Sequence, residues 1–176
     1  MWDLFFDAVW FILPAYVANS AAIDVSAIPF LKKYSTPIDF RHNIFGKRIL
    51  GDGKTWRGLF GGVIAGTLIG LLQLSIQPYL GESLPQMTVK LAFLLSFGAL
   101  IGDMTASFVK RQTGFDRGAS VPGLDQLDYI VGAFVFALLA VPFDLTRFLI
   151  VVVLTIPLHV LANYVAYKIK LKEVWW

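Results

Sequence analysis

Cysteine is absent from the 176-residue chain, which excludes disulfides, thiolate metal sites and a cysteine nucleophile. Charge is scarce too: Asp, Glu, Lys and Arg make up 15% of residues and the net charge is only +3. So small an excess gives no ground for a nucleic-acid partner; where the charges sit matters more than their sum. The opening run Met1–Trp10 holds Asp3 and Asp7 but no Lys or Arg. A secretory signal needs a basic leading region, so this stretch reads as a retained helix.

Apolar residues fill the space that charge leaves. They account for 57% of the chain, and the mean hydropathy is +0.68, well above that of an ordinary soluble domain. A bilayer-spanning helix needs about 20 mostly apolar residues. The sequence offers five such stretches, at about 4–22, 56–76, 87–109, 124–143 and 146–167. All but two of the fifteen Lys and Arg fall in the connection 23–55 and its edge, in 110–123, or in the tail; Lys90 and Arg147 are the exceptions. The positive-inside rule then puts the N-terminus outside and the C-terminus in the cytoplasm, as an odd number of spans requires. The expectation is an all-α, multi-pass cell-membrane protein of one domain, residues 1–176, with five transmembrane helices and two functional cytoplasmic loops.

Within the second span, Gly58, Gly62, Gly66 and Gly70 recur every fourth residue and share one helix face. Small residues at this spacing let helix backbones approach closely in lipid, either within the chain or across a homodimer. Trp2, Trp10, Trp56, Trp175 and Trp176 mostly fall near span ends, as interfacial anchors do.

The organising stretch is Gly102–Asp128, which leaves one apolar span and enters the next. It carries Asp103, Asp125 and Asp128, with Lys110, Arg111 and Arg117 between them. Ionisable groups at membrane depth point to function by default. Asp103 lies about six residues, or ~9 Å, from the cytoplasmic end of its span. Asp128 lies a similar distance beyond Pro122-Gly123, and Asn19 and Asn163 occupy the same inner leaflet. Asp125 and Asp128 share a face at i, i+3, and Asp103, Ser107 and Lys110 form one stripe at i, i+4 and i+7. Carboxylate oxygens suit Mg²⁺, which completes its shell with water and phosphate oxygens. Two plainer readings compete. Asp125 could simply complement a helix N-terminus, and Asp103 could pair with Lys110 or another cation. His42 and His159 are lone histidines and read as packed side chains, although His159 is i, i+4 from Asn163.

The other half of the expected site is the loop IFGKRILGDGKTWRG, residues 44–58. Its glycines let backbone amides approach phosphate oxygens, and Lys54 and Thr55 stand at a helix start that favours anions. Lys47, Arg48 and Arg57 are tied to the same glycine framework; Lys32 and Lys33 read as a juxtamembrane patch facing anionic lipid. The triplet Gly53-Lys54-Thr55 resembles a phosphate-binding P-loop, but Arg48 stands where that loop needs glycine, and no β-α-β pattern surrounds it.

The run Ser107-x-x-Lys110-Arg111 followed by Pro122-Gly123-x-Asp125-x-x-Asp128 resembles the signature of the phosphatidate cytidylyltransferase (CDP-diacylglycerol synthase) family. The chain departs from the bacterial and eukaryotic pattern: Asp116-Arg117 stands in place of a Lys-Asp pair, and the His-Gly-Gly element is missing. Leu13-Pro14-Ala15-Tyr16-Val17-Ala18-Asn19 and Gly51-Asp52-Gly53-Lys54-Thr55-x-x-Gly58 instead resemble the archaeal-type branch, the CDP-archaeol synthases, over nearly the whole chain. The resemblance implies a membrane enzyme that joins CTP to an isoprenoid ether-lipid phosphate, releases pyrophosphate and uses Mg²⁺.

On that reading Asp125 and Asp128 are the primary Mg²⁺ ligands, with Asp103 as a third ligand or outer partner. Lys110 and Arg111 hold a phosphate. Gly51, Gly53, Lys54, Thr55 and Gly58, with Lys47 and Arg48, hold CTP or lipid phosphate, and Asn19, Ser107 and Asn163 line the pocket. A CDP-alcohol phosphotransferase is disfavoured because its Asp-x-x-x-Asp motif is absent. A small transporter or polybasic lipid-binding scaffold is disfavoured because polar residues gather at one face rather than at the midplane.

Overall fold

A computed structural model describes residues 2–80, 84–116, 119, 121 and 123–168. Arg117, Pro122, Lys170, Lys172, Trp175 and Trp176 lie outside the described residues, and the side chains of Lys32, His159 and Asn163 are likewise outside them.

Five helices dominate: α1 (Trp2–Ala27), α2 (Trp56–Ile76), α3 (Val89–Gln112), α4 (Leu124–Ala137) and α5 (Leu145–Lys168). Three of them, over Trp2–Ile23, Trp56–Tyr79 and Val89–Gln112, are long and apolar enough to cross a membrane. The first helix outruns the expected 4–22, and the connection expected at 23–55 is partly ordered. It holds a short 3₁₀ helix, Pro29–Tyr34, and a hairpin of β1 (Asn43–Ile44) and β2 (Lys47–Arg48). Phe45 and Gly46 make the hairpin turn, both with positive φ (51° and 75°), as a type I′ turn requires.

The fourth stretch is shorter as a helix than the expected 124–143. Regular helix ends at Ala137, and a tight series of turns carries the chain to Val141. Pro142 follows, cannot donate a backbone hydrogen bond, and disfavours helix in the residue before it. Fourteen residues of helix span ~21 Å, short of a ~30 Å hydrocarbon core.

Packing is inverted relative to a soluble protein. On α2 the buried face is Gly58, Gly62, Gly66 and Gly70, while Phe60, Ile64, Leu68 and Leu72 are each more than half exposed. Small residues inside and large ones outside is what lipid as solvent selects. The glycine face is used within the chain. A Cβ on Gly62 would meet the Ala18 carbonyl and Leu100; one on Gly66 would meet Pro14 and Ser96; one on Gly70 would meet Ala92. Helix α2 is thus wedged between α1 and α3, and this face offers no dimer seam.

A second glycine seam, unforeseen from the sequence, joins α3 to α4. Gly98 faces the Gly132 carbonyl, and Gly102 faces the Asp128 carbonyl with Gly132 beside it. The Gly98-x-x-x-Gly102 spacing carried the signal. Beneath it lies a core that includes Phe11, Ile12, Leu91, Leu95, Ile130, Phe134 and Val151. Helix α5 is fastened by Tyr16 Oη to Thr155 Oγ1 (2.8 Å) and by Arg147 on Asp7 (2.6 Å). Arg147 and Lys90 both lie at the end opposite the polar loops, where Lys90 Nζ donates to the Leu139 carbonyl.

Candidate active site

One cavity of about 570 Å³ opens where the end of α1, the start of α2, the second half of α3 and the start of α4 meet. That volume is in the range of small-molecule sites. Of the residues expected from the sequence, it collects Asn19, Gly53, Lys54, Thr55, Gly58, Asp103, Asp125 and Asp128. Ser35, Asp52 and Arg57 also line it.

Backbone architecture places each group. Thr55 caps α2, its Oγ1 accepting from Gly58 N at 3.3 Å, and its hydroxyl proton is still available to donate. The chain leading into that cap is held by an extended strip: Ile38 N donates to the Lys54 carbonyl (2.8 Å), Trp56 N donates to Thr36, and Pro37 bridges Thr55. Gly51, at φ 90°, takes a conformation that side chains rarely adopt, and it starts the turn closed by Lys54 N on the Gly51 carbonyl. On the far wall, the Gly102 seam brings α4 against α3 and so sets Asp128 beside Asp103.

Electrostatics are organised as pairs. Lys54 Nζ reaches Asp103 Oδ2 at 2.5 Å, and Lys110 Nζ reaches Asp125 Oδ1 at 2.7 Å, with all four side chains at most 27% exposed. The sequence left open a pairing of Asp103 with Lys110 or another cation; the cation is Lys54, from the other polar loop. Asp125 also accepts from Val121 N at 3.0 Å, so it helps order the entry to α4 as a helix-start carboxylate. Asp128 feels the charges of Asp103, Lys54 and Asp125, and no lysine or arginine among the described residues pairs with it.

Several expected residues sit elsewhere. Lys47 donates to the Gln112 carbonyl (2.7 Å), and Gln112 Nε2 donates back to Arg48 O, which docks the hairpin on the C-terminus of α3. Arg48 is bound to Asp39 and Asp52 at 2.9 and 3.0 Å. Lys110 and Arg111 do not line the cavity; Arg111 Nη2 donates to the Asp116 carbonyl (2.9 Å) while its buried Nε has no partner among the described residues. Ser107 is buried on the Asp103 stripe without lining the cavity, and Asn163 contributes no described side chain.

Asp39 went unremarked in the sequence. Burial acts to raise its pKa, but hydrogen bonds from Arg48 and from the Leu50, Gly51 and Arg41 backbone together hold it well below the usual carboxylate range. An Asp followed two residues later by its own hydrogen-bonded N–H is a legible turn signal. Its partners nine to twelve residues on are not.

The donor set fits Mg²⁺ by chemistry, since only oxygen ligands face the cavity as anions. It fits as a partial shell rather than a cage: no three acidic or histidine side chains converge among the described residues. One or two carboxylates plus phosphate oxygens and water is how Mg²⁺ is commonly held.

Fold and site together define an intramembrane helical protein with a charged cavity of nucleotide size at one end. A family profile described as CarS-like, CDP-archaeol synthase, matches residues 1–176. The CDP-archaeol synthase of Thermococcus kodakarensis is 45% identical over 172 residues, covering 97% of this chain and 96% of its own. That of Methanocaldococcus jannaschii is 39% identical over 182 residues, covering 98% of each. A solved structure described as an intramembrane enzyme for archaeal membrane lipid biosynthesis superposes with a TM-score of 0.74 at 33% identity, covering 89% of this chain and 92% of that one. The chain belongs to the CDP-archaeol synthase family.

Proposed function

We propose that the chain transfers the CMP moiety of CTP to an isoprenoid ether-lipid phosphate, yielding CDP-archaeol and pyrophosphate in membrane phospholipid synthesis. One observation carries the reading. A single cavity joins Gly53, Lys54 and Thr55 from one polar loop to Asp103, Asp125 and Asp128 from two other helices. The reaction is an in-line displacement: a lipid phosphate oxygen attacks the α-phosphorus, the bond to the β-phosphate oxygen breaks, and pyrophosphate leaves with the electron pair. No protein nucleophile is needed, only positioning and neutralised charge.

Lys54 can exchange Asp103 for a phosphate oxygen, and the Thr55 hydroxyl and the Gly53 amide stand beside it. Asp125 and Asp128 would hold Mg²⁺, with Asp103, paired to Lys54, as an outer partner, and the ion would neutralise charge developing on the phosphates. Lys110 steadies Asp125 and, with Arg111, the connection into α4. Asn19 lines the opposite wall.

In this reading the chain crosses the membrane five times, the fourth crossing being α4 completed by the turns to Val141, with the N-terminus outside and the cavity at the cytoplasmic face, where CTP is available. The basic residues around the cavity and the placement of Lys90 and Arg147 at the other end support that orientation. The isoprenoid chains would lie between spans with the phosphate at the inner interface. Labelled CTP offered with a panel of ether- and ester-linked lipid phosphates tests the substrate class. The expected product forms on the ether lipids; equal or better use of the ester lipids would overturn it.

A further inference from the structure

We infer that Asp39 is a positioning residue for the nucleotide half of the site: it fixes the loop that presents Lys54 and Thr55 to the cavity. The inference rests on the proposed binding of CTP in that cavity and assigns a role to a residue outside it. Asp39 does not line the cavity, and its side chain is fully excluded from solvent. Arg48 Nη2 donates to Asp39 Oδ1 (2.9 Å) and Oδ2 (3.2 Å), and Arg48 Nε donates to Oδ2 (3.3 Å). Leu50 N and Gly51 N each donate to Oδ2 at 3.0 Å, and Arg41 N donates to Oδ1 at 3.0 Å. Removing one partner from such a network leaves buried donors unmet, the expensive case for hydrogen bonding.

Its position in the chain turns this network into a clamp. The strip 36–38 is bonded to 54–56, on the downstream side of the Gly51–Lys54 turn. Asp39, the next residue, grips Leu50 and Gly51 on the upstream side. The turn is therefore held at both ends, and its tip, Asp52 and Gly53, faces the cavity. Arg48 extends the same network to Asp52 (3.0 Å). Asp39 also sustains a backbone that little else would tolerate. Phe40 and Arg41 both have positive φ (44° and 65°), and the hydrogen bond from Arg41 N and those of His42 to Asp39 O hold them there. Losing the carboxylate would release the upstream grip on Leu50 and Gly51 and the bond from Arg41 N, leaving the turn held only by the backbone bonds of 36–38 to 54–56.

An Asn at 39 would present an NH₂ group where Arg48 and two backbone amides already donate, so the substitution is not conservative. The test uses the full chain in lipid nanodiscs, with KM for CTP, KM for an ether-lipid phosphate, and kcat measured separately. Asp39→Asn should raise KM for CTP at least tenfold and leave KM for the lipid phosphate within twofold. Arg48→Met should move KM for CTP in the same direction by less. The double variant should be no worse than Asp39→Asn alone, because the two act as one network. An unchanged KM for CTP in both single variants overturns the inference, as does equal damage to both substrates' KM. Should Asp39→Asn fail to insert, Arg48→Met carries the same KM comparison. Lys54→Gln separates the levels: if it raises KM for CTP while Asp39→Asn does not, only the inference falls. If neither moves it, the placement of CTP in this cavity falls with it.

Discussion

Asp125 has two occupations at once, ordering the start of α4 through Val121 N and pairing with Lys110. Asp128 has neither constraint and stands within the field of Asp103 and Lys54. Replacing either by Asn removes a negative charge from the place where phosphate charge must be balanced. Turnover should fall by about 100-fold or more, the scale for losing one group that stabilises developing charge. The variants should still insert, and a purified-enzyme assay checks both points. Asp125→Asn should also loosen the entry to α4, seen as faster amide exchange at Val121, whereas Asp128→Asn should not. Asp39 makes a separate prediction about pH. Its carboxyl is held below the ordinary range, so its contribution to loop order is fully present above the unfolded value near ~3.9. Below that pH the contribution shrinks progressively and is gone once pH reaches the lower folded value. Amide protection at Arg41, Leu50 and Gly51 should therefore stay flat from neutral pH to about 4 and decline steadily below it. Protection that is lost well above pH ~4, or that does not change below it, would contradict the account.

Between helices, the deciding features are the two glycine seams. At Gly102 a Cβ would meet the Asp128 carbonyl, so the close approach that packs α3 on α4 also sets the distance between two site carboxylates. Gly102→Ala should push the helices apart, destabilise by about 1–3 kcal/mol as overpacked sites do, and lower activity beyond what that loss of stability explains. Denaturant unfolding in detergent beside an activity assay separates the two effects. An unchanged rate at full stability would show that the seam does not set the site. The α2 seam was legible in the sequence as four glycines at one spacing, and the α3 seam was legible in principle as Gly98 and Gly102. What could not be read was the length of α4. Hydropathy is continuous through Leu138-Leu139-Ala140-Val141, so the apolar stretch looks like one span, yet the backbone before Pro142 leaves the helix for turns. Side-chain hydropathy reports the solvent a segment prefers, not the hydrogen-bond ladder it keeps.

For the molecule as a whole, the residues that line the cavity were easier to read from the sequence than the contacts they make. Asp103, Asp125, Asp128, Lys54 and Thr55 were all legible, because charges and caps at membrane depth stand out from an apolar background. Which lysine meets which aspartate was not, since Lys54 and Asp103 are 49 residues apart and only the packing of α2 on α3 brings them together. Lys47 and Arg48 illustrate the converse. Their basic character suggested phosphate, but they are taken up by the α3 C-terminus and by Asp39, a use that composition cannot distinguish. The absence of cysteine makes the proposed topology directly testable, since each introduced thiol is unique. With an impermeant maleimide on intact cells, Gln86→Cys should label at once and Phe45→Cys only after permeabilisation. The reverse pattern would invert the orientation.

The Gly53–Thr55 stretch and the three carboxylates that share its cavity are proposed to form one cytidylyltransferase site. Pyrophosphate release from CTP by the purified chain tests it most directly, measured with and without Mg²⁺ and with and without an ether-lipid phosphate. The wild-type chain should release pyrophosphate only when both are present, and Asp128→Asn should release almost none. Pyrophosphate appearing without the lipid phosphate, or undiminished in Asp128→Asn, would contradict the account.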